Sequence, residues 1–195
     1  SLALRSGHIE RMLNTIPGRS YRLNYGYRTA TLDGLVAWWE LENNGNDRVG
    51  TNVGNLFGTP GFAVGEVGNG MQFDGVNDHV LIPSSPSLDV GAGNGFTIET
   101  WIKPTTVAGE QPLVEWNDGG NIQTHFWISV PTLGGGPGSL YANLVDTANV
   151  SHSISSTTGL IIPNAYQHVA VTYSKLTGVC TLYLNGVIVA QSNLG

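Results

Sequence analysis

Glu99 and Glu115 are the residues of this chain best suited to acid/base work. Each falls in a short run of alternating apolar and polar residues, so each can stand on one face of a strand. Carboxyl groups about 5 Å apart suit a retaining glycosidase, and about 6.5–9.5 Å an inverting one. His125 is the third acid/base candidate. With Ser129 and Glu115 it would complete a scattered triad, since triads are defined by geometry rather than order. The sequence holds no Gly-x-Ser-x-Gly elbow and no His-x-x-x-His pair, so neither a signposted hydrolase nor a zinc hydrolase is indicated. A different chemistry is offered by Trp101, Trp127, Tyr141 and Asn143. Aromatic planes cover the C–H faces of sugars, and amides fix their hydroxyls. Asp47-Arg48-Val49-Gly50-Thr51-Asn52 packs oxygen ligands around a glycine, as calcium loops do. Asp47, Asn52, Asp74 and Asp78 are the candidate calcium ligands. The alternative for these acids is that they cap turns through their own backbone.

Strands must position these residues, because helical periodicity is nearly absent. Period-two alternation broken by turn residues predicts strands at Tyr21–Tyr27, Leu35–Leu41, Gly70–Phe73, Val80–Ile82, Phe96–Lys103, Pro112–Trp116, Thr124–Val130, Ser139–Val145, His152–Ser156, His168–Ser174, Val179–Leu184 and Val187–Gln191. Asn185-Gly186 between the last two is a strong hairpin signal. Gly54 to Gly70 reads as a long ordered loop or meander, and Gly134 to Gly138 as a flexible connector. Alternation puts Thr97, Glu99, Trp101 and Lys103 on one side of their strand. It likewise groups His125, Trp127 and Ser129, sets Tyr141 with Asn143, and turns Glu115 away from Val114 and Trp116. Many short strands at about ten-residue spacing predict an all-β sandwich or jelly roll of two antiparallel sheets.

Composition narrows the function classes. The chain has 195 residues, 27 glycines and a single cysteine, with 11% charged residues and a net charge of −6. One cysteine excludes an internal disulfide framework, and Cys180 alternates with apolar neighbours as a buried hydrophobe does. Residues 1–32 hold five arginines and one glutamate; the remainder holds three basic residues against thirteen acids. Such an acidic body offers no counterion-releasing face, so nucleic acid is not an expected partner. No run of about 18 apolar residues is present, and no membrane insertion is expected. The first residue is Ser, which reads as a processed or excised piece. The composition shift near Thr31–Gly34 divides an extension, 1–32, from a main body, 33–195. Asn149-Val150-Ser151 forms a glycosylation triplet, which matters only in a eukaryotic secretory pathway.

Seven ordered segments then carry a family resemblance. They are Gly34-Leu35-Val36-Ala37-Trp38-Trp39; Asn46-Asp47-Arg48-Val49-Gly50-Thr51-Asn52; Gly70-Met71-Gln72-Phe73-Asp74-Gly75-Val76-Asn77-Asp78-His79-Val80; Pro83-Ser84-Ser85-Pro86-Ser87-Leu88; Phe96-Thr97-Ile98-Glu99-Thr100-Trp101-Ile102-Lys103-Pro104; Tyr166-Gln167-His168-Val169-Ala170-Val171-Thr172-Tyr173; and Leu182-Tyr183-Leu184-Asn185-Gly186. In this order they resemble the laminin-G-like, concanavalin A-like jelly-roll domain of bacterial secreted proteins. The resemblance implies a secreted or cell-surface bacterial protein and a structural calcium between the Asp47 loop and a closing acidic segment. Laminarinase-type hydrolases of this superfold carry a Glu-x-Asp-x-x-Glu strand that is absent here. The family continues past the Asn-Gly hairpin with further strands, whereas this sequence stops at Gly195. The expectation is therefore an open sheet edge, with self-association through it. Residues 1–32 resemble the end of a galactose-binding-like sandwich.

The leading expectation is a calcium-braced, non-catalytic carbohydrate-binding or adhesion module, with one sugar face built from Trp101, Trp127, Tyr141 and Asn143. A hydrolase of glycans or esters using Glu99, Glu115 and His125 is the alternative. A structural assembly module is a further one.

Overall fold

A computed structural model of the chain describes residues 34–117, 122–131 and 135–195. The extension 1–32, its boundary and the strand expected at Tyr21–Tyr27 lie outside the described residues. The chain divides into two compact units, with the boundary in sequence between Leu88 and Asp89. The described residues form twelve strands and two short 3-10 turns, with no α-helix among them.

The described part of the first unit is a set of tight turns carrying two small ladders. Strand β1 (Asn55–Phe57) pairs antiparallel with β4 (His79–Leu81), and β2 (Gly61–Val64) pairs with β3 (Asn69–Gln72). Two strands thus arise inside the segment read as a loop or meander. The expected strand Leu35–Leu41 does not form. Its one bridge joins Trp39 to Asp47, and Leu41 and Asn43 turn to φ 56° and 63°. The cause is local: the Asp47 carboxylate takes the Trp38 N–H at 3.0 Å, so a side chain occupies the donor that a partner strand would need.

The second unit is a sandwich of two four-stranded antiparallel sheets. One has the order β12 (Val187–Asn193), β11 (Val179–Leu184), β10 (Gln167–Ser174), β5 (Gly95–Ile102). The other has the order β6 (Gln111–Asn117), β7 (Ile122–Ile128), β8 (Leu140–Val145), β9 (Ser151–Ser155). Their inner faces meet in one core. Phe126, Ile128, Leu140, Ala142, Leu144 and Ile154 come from one sheet, and Val169, Val171, Cys180 and Leu182 from the other. Each large apolar side chain buried there contributes roughly 1.5–3 kcal/mol. Cys180 is fully buried, and burial pushes its thiol up to about 11. It packs as a small hydrophobe and stays protonated at neutral pH.

Two turns fix the register of the strands that matter below. Between β7 and β8, Ser129 sits at φ 61°, donates its N–H to Ser139 O and accepts the Gly138 N–H on Oγ. Between β8 and β9, Asp146 Oδ1 accepts the N–H groups of Ala148 and Val150, and Oδ2 faces His152 Nε2 at 3.2 Å. Both are side-chain-to-backbone closures of the kind that define tight turns.

Candidate functional site

Strand alternation on β6, β7, β8 and β9 sends one residue set into the core and the other to the opposite face. The register aligns Glu115 with His125, His125 with Asn143, and Asn143 with Ser153, making one row across four strands. The neighbouring row runs Trp127, Tyr141, Ser155. Within this face His125 Nε2 lies 3.4 Å from Glu115 Oε1. The His125 and Trp127 rings stack 5.0 Å apart with an interplanar angle of 16°. The Tyr141 hydroxyl bonds to the Ser153 side chain; burial nonetheless pushes its ionisation above the usual tyrosine range. Asn143 Nδ2 approaches Ser151 Oγ at 3.5 Å, a long contact.

Two atoms on this face are left over. Trp127 Nε1 and Asn143 Oδ1 are buried and have no hydrogen-bond partner among the described residues. A buried donor or acceptor without a partner costs about 1–3 kcal/mol, and sites that keep such atoms need a reason. Here the pair consists of one donor and one acceptor. A hydroxyl group can satisfy both kinds of atom, since it donates one hydrogen bond and accepts others. Tyr141 and Asn143 are only 4% and 6% exposed, while the Glu115 side chain keeps 32% of its surface. The surface of the cluster is reached by the Glu115 carboxylate and, in smaller part, by His125 and Trp127.

The single sugar face expected from sequence divides between two sheets. Trp127, Tyr141 and Asn143 stand together on β7 and β8, but Trp101 lies on β5 in the other sheet. There Trp101, 47% exposed, meets His168 edge-on at 5.3 Å, and His168 Nε2 lies 3.8 Å from Glu99 Oε2. The expected carboxylate pair divides in the same way. Glu99 is paired with His168 in one sheet and Glu115 with His125 in the other. Alternation within a strand is visible in sequence, but the assignment of strands to sheets is not. Ser129, the third member of the scattered triad, uses its hydroxyl as the acceptor for Gly138 and is 1% exposed. Its role is to shape the turn. Sequence reasoning missed Ser153 as the hydroxyl partner of Tyr141; only its strand alternation hinted at it.

The residues named for calcium form two separate turn networks. Asp47 Oδ1 accepts the N–H groups of Trp38 and Val49, both at 3.0 Å. Its Oδ2 accepts the Asn52 N–H at 3.2 Å and Asn52 Nδ2 at 3.0 Å. Burial works against ionisation, but these bonds prevail and hold the carboxyl well below the usual range. Asn52 Oδ1 is taken by the Ser87 hydroxyl at 3.0 Å. Asp74 Oδ1 accepts Val76 and Asn77, and Asp78 accepts Thr59 on one oxygen and Asp74 N–H on the other. The Asp47 carboxylate, with two N–H donors on each oxygen, has its four lone-pair sites taken and none to offer a cation needing six to eight oxygens. No group of three or more His, Cys, Asp or Glu suited to a metal occurs among the described residues. The Asp47–Asn52 donor set, with its acceptors already taken, does not fit calcium.

Two packed antiparallel sheets, with polar and aromatic side chains on the face of β6–β9 turned away from the core, define a β-sandwich. Residues 74–195 match the family described as the concanavalin A-like lectin/glucanases superfamily, and the chain belongs to that family. No match is found among curated protein sequences. Among solved structures, the chain is similar to domain 4 of AbnA, a GH43 extracellular arabinanase from Geobacillus stearothermophilus, in complex with arabinotriose. That likeness has 19% identity and a TM-score of 0.51, covering 77% of this chain and 70% of that one. It is also similar to the CBM40 of Ruminococcus gnavus IT-sialidase bound to α2,3-sialyllactose. There the identity is 19% and the TM-score 0.40, covering 51% of this chain. The chain spans about half the length of that sialidase domain, 53%. At these identities the likeness is one of fold.

Proposed function

We propose that this chain is a non-catalytic carbohydrate-binding module of a secreted or cell-surface bacterial protein, with its ligand meeting the face of β6–β9. The observation that carries the reading is the unpartnered donor–acceptor pair, Trp127 Nε1 and Asn143 Oδ1, beside a stacked imidazole and a partly exposed carboxylate. A sugar ring supplies hydroxyls for the two orphaned atoms and C–H faces for the aromatic rings. Glu115 at the exposed end would accept a further hydroxyl. Arabinotriose, the ligand of the arabinanase domain that shares this fold, belongs to the same chemical class. The placement of Glu99 and Glu115 on different sheets supports this reading over the hydrolase alternative.

An array of oligosaccharides that includes arabinotriose and sialyllactose tests the reading. The expected outcome is saturable binding by the chain, lost in Trp127→Ala and weakened about tenfold or more in Asn143→Ala, with both variants retaining the far-UV spectrum of the parent. Removing one hydrogen-bonding group to a ligand costs about 1.5 kcal/mol, which is that factor. Undiminished binding by a folded Trp127→Ala variant would remove this face from the account.

A further inference from the structure

The Asp47 loop stands where the family resemblance implies a calcium ion, yet its bonding differs from that of a cation site. We propose that the Asp47 carboxylate is itself the brace of the loop Trp38–Asn52, gathering N–H donors as an anion and taking no metal. The inference is independent of the glycan reading.

The geometry is specific. Four hydrogen bonds converge on the two oxygens, from Trp38 N, Val49 N, Asn52 N and Asn52 Nδ2, and the Gly50 N–H adds to them. Every one of these groups presents the positive end of its dipole to the carboxylate. A cation at the same oxygens would face those dipoles at close range and be repelled. Gly50 is needed for the close approach: a Cβ there would sit 2.8 Å from Asp47 Oδ2 and 3.2 Å from Asn52 Nδ2. Asn52 passes the constraint on. It is 5% exposed, its carbonyl oxygen accepts the Trp39 indole N–H at 2.6 Å, and its Oδ1 accepts Ser87 Oγ. One carboxylate thereby ties Trp38 to Asn52, and through Asn52 to Ser87, within the first unit. That is the tying role a structural calcium would perform, carried out by N–H groups.

Terbium luminescence tests the proposal on the unaltered chain, since Trp38 and Trp39 flank Asp47 and would sensitise an ion bound there. Thermal melts in calcium and in chelator accompany it. The expected result has three parts: no saturable terbium emission that Asp47→Asn removes, a melting temperature that calcium and chelator leave within about 1 °C, and a fall of about 2–6 °C in Asp47→Asn. Emission that saturates, is competed by calcium and disappears in Asp47→Asn would overturn the proposal; emission that survives in Asp47→Asn places any ion elsewhere and supports it. Asn52→Asp separates the two accounts if Asp47→Asn does not fold. It adds an anionic ligand to a calcium site, and would then raise calcium affinity. In the anion brace it replaces a donor by a second carboxylate, and lowers the melting temperature whether or not calcium is present.

Discussion

Trp127 and Asn143 differ from the other polar residues of the β6–β9 face in one respect: each keeps a buried atom without a partner among the described residues. Sequence alternation showed that both leave the core, because Phe126 and Ile128 flank Trp127, and Ala142 and Leu144 flank Asn143. It had no means of showing which atoms remain unsatisfied, since that depends on neighbours from other strands. The same limit explains the calcium expectation. An Asp- and Gly-containing loop is common to ion sites and to self-capped turns, and the direction of the N–H groups, which the sequence does not give, distinguishes them. Asp146 shows the self-capped case in the second unit. The Val150 N–H and then His152 hold its carboxyl below the usual range. A group with a depressed folded-state pKa adds stability above its unfolded pKa and loses it as pH falls through the folded value. The melting temperature should therefore drop on acidification below about pH 4, and this acid-dependent loss should be smaller in Asp146→Asn. A pH series of thermal melts on both proteins checks it; superimposable acid limbs would count against the role of Asp146.

Strand existence was legible wherever turn chemistry and alternation agreed. Val179–Leu184 and the following strand are joined by Asn185 and Gly186 at φ 50° and 79°, as a two-residue hairpin requires. A Cβ on Gly186 meets nothing within 4 Å, so Gly186→Ala isolates the backbone term. The expected destabilisation is about 1–2 kcal/mol, measured by denaturant unfolding; no change would mean that the hairpin tolerates a different turn. Legibility failed where a side chain replaced a strand partner. Leu35–Leu41 has the apolar character of a strand, but Asp47 captures its backbone and Leu41 turns away. It failed in the opposite sense at Asn55–Phe57 and Gly61–Val64, whose glycine-rich surroundings hide ladders of only three and four residues.

For the molecule as a whole, the two-sheet sandwich followed from the spacing of short strands, but the sheet to which each strand belongs did not. Strand β5 joins β10, and this one fact separates Trp101 from Trp127 and Glu99 from Glu115. The core between the sheets is continuous, and Leu182 is fully buried in it. Leu182→Ala should cost about 2–5 kcal/mol by loss of burial and the cavity left behind, read as a lower denaturant midpoint with an unchanged slope.

The central claim is that a sugar hydroxyl meets the orphaned atoms beside the His125–Trp127 stack, and the indole N–H of Trp127 reports on it directly. Its ¹⁵N–¹H resonance, assigned by comparison with Trp127→Phe, can be followed while an oligosaccharide selected on the array is added. The account predicts a saturable shift of that resonance, with the Trp101 indole N–H unmoved. Saturation of binding with the Trp127 resonance unchanged would contradict it.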